Sequence, residues 1–143
     1  MTVTAILLPV LAQVALTFVV LIWLGLARLA AIREGGVARE RVAIDETAWP
    51  PRARQAGNCF RNQFELPVLF YVLVALALLT RQADGLFVLL SWLFVLSRAA
   101  HALVHVTVND VAWRFAAFAT GAIVLLIMWV IFALAILFAP ALP

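Results

Sequence analysis

The amino-acid sequence predicts an all-α fold: four transmembrane helices in an up-down-up-down bundle, forming one integral membrane domain over residues 1–143. Three features predict it. Apolar residues make up 67% of the chain and charged residues only 12%, against about 45–50% and 25% in soluble domains. Mean hydropathy is +1.14, more apolar surface than a core of this size hides behind a polar skin. The apolar residues also fall into four continuous runs, each near the length of about 20 residues that crosses a bilayer as a helix. These features exclude a soluble enzyme, a disordered chain and a nucleic-acid partner. They also exclude strands, because the runs do not alternate and four strands cannot close a membrane barrel.

The first run covers about residues 5–31 and is interrupted only by Pro9, Gln13, Gly25 and Arg28. No positive segment precedes it and no small-residue cleavage pattern follows, so an uncleaved span is expected rather than a signal peptide. The second covers about 57–80, polar at its start and apolar at its end. The third covers about 86–106. The fourth covers about 111–139 and stops before Pro140. Residues 81–85 form a tight turn, and residues 107–110 another, with Asn109 or Asp110 able to cap the fourth helix. Turns this short make neighbouring helices antiparallel.

The remaining connection, about 32–56, is long and charged. Seven of the ten basic residues, all arginines, lie between Arg28 and Arg61, together with Glu34, Glu40, Asp45 and Glu46. The other side of the bundle holds Arg81 and Asp84. Arginine excess marks the cytoplasmic side and acids count for little in that rule. The loop is therefore expected in the cytoplasm and both termini outside. Trp49-Pro50-Pro51 suggests an interfacial anchor followed by a chain reversal. The single cysteine, Cys59, excludes an internal disulfide.

Charges inside membrane helices are costly, about 2.5–3.5 kcal/mol each at the bilayer centre, and those retained face partners or water-filled cavities. Here they cluster. Arg54, Asn58, Arg61, Asn62 and Glu65 have spacings that place them on one face of the second helix, where Pro67, lacking a backbone donor, can introduce a kink that frees a carbonyl near Glu65. Arg98, His101 and His105 share a face of the third, and Arg114 begins the fourth. A bland account pairs Glu65 with Arg61 and lets the other arginines reach the interface. The functional account gathers these groups around one polar cavity. Arg61, Arg98 and Arg114 against Glu65 make such a cavity cationic, fit for bidentate grip on carboxylates. An asparagine and a glutamate there suit amide and ammonium groups. A small zwitterionic peptide with several carboxylates matches this set, and an apolar co-substrate can arrive through the lipid. His101 and His105 have a chelating spacing, but no third histidine exists and nothing brings Cys59 to them, so no metal site is expected. His101 is expected to be a helix-packing hydrogen-bonder and His105 to line the cavity mouth.

Four short-looped helices with Arg61-Asn62-x-x-Glu65-x-Pro67 on the second resemble the membrane-associated proteins in eicosanoid and glutathione metabolism, the MAPEG family. The spacing of Arg98, His101, His105 and Arg114 is similar to its prostaglandin-synthase branch, and the compact helices and short turns to a bacterial branch. The resemblance implies an inner-membrane homotrimer, with glutathione as co-substrate between adjacent subunits near the cytosolic face. It implies that Arg61, Asn62 and Glu65 hold the peptide, that Arg98 helps close the pocket, and that Arg114 stabilises the thiolate as the catalytic residue. A nearby cation lowers a thiol pKa, and the thiolate is the nucleophile. Arg28 or Arg33 would reach a glutathione carboxylate. The chain departs from the family's pattern in three ways: Asn58 stands where glutathione-using relatives carry arginine, His105 stands where the family carries tyrosine, and Pro67 follows Glu65 by two residues, closer than in the mammalian enzymes.

The implied activity is transfer of glutathione or a similar thiol to a hydrophobic electrophile, or reduction of a lipid peroxide. The alternatives are a non-catalytic lipid-binding or adaptor protein on the same scaffold, and a small proton-coupled exporter. The exporter is disfavoured, since four-helix exporters carry their glutamate in the first helix.

Overall fold

The computed structural model describes residues 1–35 and 37–138. Helix α1 spans Val3–Arg33, with the Thr2 hydroxyl accepting from the Ala5 N–H at its start. A single turn, α2 (Arg39–Val42), lies in the connection. Helices α3 (Pro51–Arg61) and α4 (Leu66–Leu79) form the second span, α5 (Gly85–Val106) the third and α6 (Val111–Leu137) the fourth. These four spans are long and apolar enough to cross a membrane. Asp84 and Asp110 cap α5 and α6, their carboxylates accepting from the N–H groups of Phe87 and Trp113 at 2.8 and 2.9 Å. Asn109, the other candidate cap, instead adopts φ +50° and turns the chain. The expected end of the fourth helix at Ala139 and its stop before Pro140 lie outside the described residues.

Cross-helix pairs establish the antiparallel order. Leu24 and Arg28, late in α1, meet Gly57, early in the second span. Gln13 meets Gln63. Along α5, His105 meets Gln55, Arg98 meets Asn62, and Phe94 stacks on Phe70 at 4.7 Å between centroids. Between α5 and α6, His101 meets Arg114 and Ser97 meets Gly121. The long connection and the 107–110 turn therefore share one end of the bundle. The apolar core sits at the other end, around Phe70, Leu73, Phe94, Leu125 and Met128. Side chains such as Phe18, Ile22, Phe115 and Leu126 point outward, where hydrocarbon replaces water as their solvent.

Midway along the bundle two glutamines are buried together. Gln13 Nε2 donates to Gln63 Oε1 at 3.0 Å, and Gln63 Nε2 donates to the Cys59 carbonyl at 3.4 Å. Such an interhelical amide contact supplies a partner where lipid offers none, while Gln13 Oε1 accepts no hydrogen bond among the described residues.

At Gly121 the α5–α6 approach is close: an added Cβ would lie 2.6 Å from Ser97 Oγ but 3.7 Å from Ser97 Cβ. The clash is with one hydroxyl. Removing it leaves ordinary contact and the gain in helix propensity from replacing glycine, about 1 kcal/mol. The double variant Ser97→Ala/Gly121→Ala is therefore expected to be more stable in detergent than Ser97→Ala by about 1 kcal/mol, measured by thermal melting.

The second span corrects the sequence expectation at both ends of its polar half. The helix begins at Pro51, not near residue 57, so the connection shortens to 34–50. Proline is preorganised for a first helical position, and Ala53, Ala56 and Gly57 give α3 a flat face to bury. Farther on, the span is not one helix. Pro67 has no N–H, and its ring would clash with the Gln63 carbonyl in a continuous helix. The chain tightens into a 3-10 turn over Asn62–Phe64 and resets at Glu65, with φ −93° and ψ −100°. Five polar residues thus do not share one unbroken face. Arg54, Asn58 and Arg61 precede the break, and Glu65 lies at its far edge.

Candidate functional site

A hollow of about 460 Å³ opens at the loop end of the bundle. Helix α3 contributes Arg54, Asn58 and Arg61 at helical spacing. His105 comes from the end of α5, Asn109 from the following turn and Arg114 from the first turns of α6. Glu46 and Thr47 of the connection complete the wall. Gln55 Nε2 donates to the His105 carbonyl and ties α3 to α5. Arg61 donates to Asn58 Oδ1. Arg114 Nη1 donates to Asn109 Oδ1 at 2.7 Å and lies 3.3 Å from His105 Nε2, which accepts as a neutral ring.

A second hollow, about 260 Å³, is lined by Asn62, Glu65, His101, Val111, Phe115 and Phe118, and again by Arg114. Arg114 is common to both. The expected site residues are therefore divided: Asn58, Arg61 and His105 on the polar side, Asn62 and Glu65 beside the apolar walls. His101 packs as expected, its Nδ1 donating to the Arg114 carbonyl at 3.0 Å.

Arg98 borders neither hollow among their lining residues. It is fully buried, its guanidinium 5.4 Å from the Phe118 ring centroid. Nη2 donates to the Asn62 carbonyl at 2.8 Å, while Nε and Nη1 have no protein partner. Asn62 opens the helix break, so its carbonyl is one that regular helix no longer serves. Arg98 fastens the break from the neighbouring helix, behind the walls of both hollows rather than on them.

The connection adds what sequence spacing missed. Glu46 Oε1 accepts from Arg28 Nη2 at 2.7 Å, and Glu46 Oε2 lies 4.0 Å from Arg61 Nη1. These are the ion pairs among the described residues, so the simple pairing of Arg61 with Glu65 does not form. Asp45 accepts from the Thr47 N–H and hydroxyl at 2.8 and 2.6 Å. The hydroxyl, and then the backbone N–H, hold the Asp45 carboxyl below its ordinary 3.8. Trp49, expected as an interfacial anchor, is instead buried against Ala31 and Ala53, with the Arg28 guanidinium 4.9 Å from its ring centroid. Of the two first-helix arginines, Arg28 is thus engaged in holding the loop, and Arg33 is exposed.

The family model of MAPEG matches residues 6–134 of the 143-residue chain. The chain belongs to the MAPEG family. No curated protein and no solved structure matches it. The match runs through all four spans, so the MAPEG assignment covers both hollows and the broken second helix. Thr47, Gln55 and Asn109 join Glu46 as wall residues that motif spacing did not mark. A signal existed for two of them. Asp45-Glu46-Thr47 has the pattern of an Asx turn, which fixes the side chain between its ends, and Asn109 follows the third span where a left-handed residue is needed.

Proposed function

We propose that this MAPEG protein binds glutathione, or a similarly small acidic thiol peptide, and activates its sulfur for attack on a hydrophobic electrophile supplied from the lipid. One observation carries the reading: the Arg114 guanidinium borders a hollow walled by two further arginines and, on its other side, a hollow walled by Val111, Phe115 and Phe118. Carboxylates of the peptide suit Arg54 and Arg61, which hydrogen-bond as forks. Its amide groups suit Asn58 and Asn109. A sulfur beside Arg114 sheds its proton to water more readily, because the cation favours the thiolate. The thiolate then forms the sulfur–carbon bond while the electrophile's leaving group departs with its electron pair. The loop end lies in the cytoplasm in this proposal, where the peptide is available, and three copies of the chain assemble in the membrane.

Calorimetry of glutathione with detergent-purified protein tests the binding half. Wild type is expected to bind, and Arg61→Ala to bind about tenfold more weakly, the loss of one charge-assisted contact of about 1.4 kcal/mol. No heat of binding at millimolar glutathione overturns the proposal. Binding without turnover of any electrophile supports a non-catalytic binder, the reading that Asn58 in place of an arginine favours.

A further inference from the structure

We infer that Glu46, together with Arg61, selects ligands that carry an α-amino-acid head, with Glu46 receiving the ammonium group. This rests on the thiol-peptide reading and makes it more specific. An α-amino acid presents an ammonium and a carboxylate on one carbon. Its complement is a carboxylate and a guanidinium side by side. Glu46 Oε2 and Arg61 Nη1, 4.0 Å apart, form that complement on the wall of the polar hollow.

The two oxygens of Glu46 are not equivalent. Oε1 is taken by Arg28, which is not a wall residue. Oε2 accepts no hydrogen bond among the described residues and is held beyond hydrogen-bond distance of Arg61. It is therefore a charged acceptor with unused capacity, on a side chain bordering the hollow.

The position is built. Arg28 grips one oxygen from α1. Asp45 folds the turn around Thr47, and Trp49 is buried directly after it. The carboxylate lies directly over α3 at Gly57, where an added Cβ would meet Oε2 at 3.7 Å, an ordinary contact distance. Glu65, the acid that the sequence motif offered for an ammonium, lies instead on the second hollow with Asn62 and the apolar walls. Charge favours the assignment too. Arg54, Arg61 and Arg114 alone would accept any polyanion, and one fixed carboxylate discriminates against ligands that lack a cation to meet it.

The test compares glutathione with N-acetyl-glutathione, which has no ammonium group, by calorimetry on wild type and Glu46→Gln in detergent. Wild type is expected to prefer glutathione. Glu46→Gln is expected to bind glutathione about tenfold more weakly, and N-acetyl-glutathione as well as wild type does or better, so the preference collapses. Equal weakening of both ligands assigns Glu46 to loop structure alone and overturns the inference. Equal strengthening of both makes Glu46 a tethered competitor for the ligand's carboxylate and overturns it as well. In either case wild-type binding of glutathione leaves the thiol-peptide reading standing. Wild type binding neither ligand overturns both.

Discussion

Arg114→Ala is expected to lower thiol conjugation to 1-chloro-2,4-dinitrobenzene by about 100- to 1,000-fold at pH 7, the usual cost of removing one preorganised charge stabiliser, in a protein that stays folded. The fold survives because the contact tying α5 to α6 at this level is made by the main chain: His101 Nδ1 donates to the Arg114 carbonyl, which alanine keeps. What disappears is a guanidinium that borders both hollows. An ordinary thiol has a pKa of about 8.5, and each unit by which a cation lowers it multiplies the thiolate at neutral pH about tenfold. The sign follows. Without the cation the thiol pKa rises, so the deficit is largest near pH 7 and shrinks as the pH passes about 9. Arg114→Lys, which keeps a charge but not the fork held by Asn109 and His105, falls between. A deficit that does not change with pH would detach Arg114 from the ionisation of the sulfur.

Arg98 has the second large effect, and here stability and binding part company. Arg98→Met keeps the volume of the buried side chain and removes its charge. Buried charges are costly unless fully paired, and two of the three nitrogen atoms of this guanidinium lack protein partners. Arg98→Met is therefore expected to melt within about 1.5 kcal/mol of wild type. Arg98→Ala empties the same space and is expected to be less stable than the methionine variant by about 2–5 kcal/mol. Both variants lose the donor that holds the Asn62 carbonyl at the break, so both are expected to bind glutathione at least tenfold more weakly. Glutathione affinity unchanged in Arg98→Met would mean that the break keeps its shape without the guanidinium.

Much of the architecture was legible in the residues. Continuous apolar runs mark membrane helices because lipid leaves the backbone no other way to satisfy itself. The turns announced themselves through Asp84 and Asp110, which cap the helices that follow. Pro67 also foretold a disturbance near Glu65, since a missing N–H and a bulky ring act locally. The form of that disturbance was not legible. Whether proline bends a helix or resets it depends on what catches the freed carbonyl, and Arg98 comes from another helix. The same limit applies to the site. Arg54, Asn58 and Arg61 share a face through helical spacing alone. Glu46 reaches them only because Trp49 is buried beneath Arg28 and an Asx turn orients the residues before it. Those are tertiary events, and the spacing of charges in a loop carries no record of them.

The glutamine pair at mid-depth has a consequence for assembly. A uniformly greasy helix in a bilayer has little reason to prefer one azimuth over another, because hydrocarbon surrounds every side of it alike. Gln13 removes that indifference: only one rotational setting of α1 brings its amide onto Gln63. The same setting turns Arg28, farther along the helix, toward Glu46. The first span thus carries a detent in its middle that indexes its far end, where Arg28 meets the loop carboxylate.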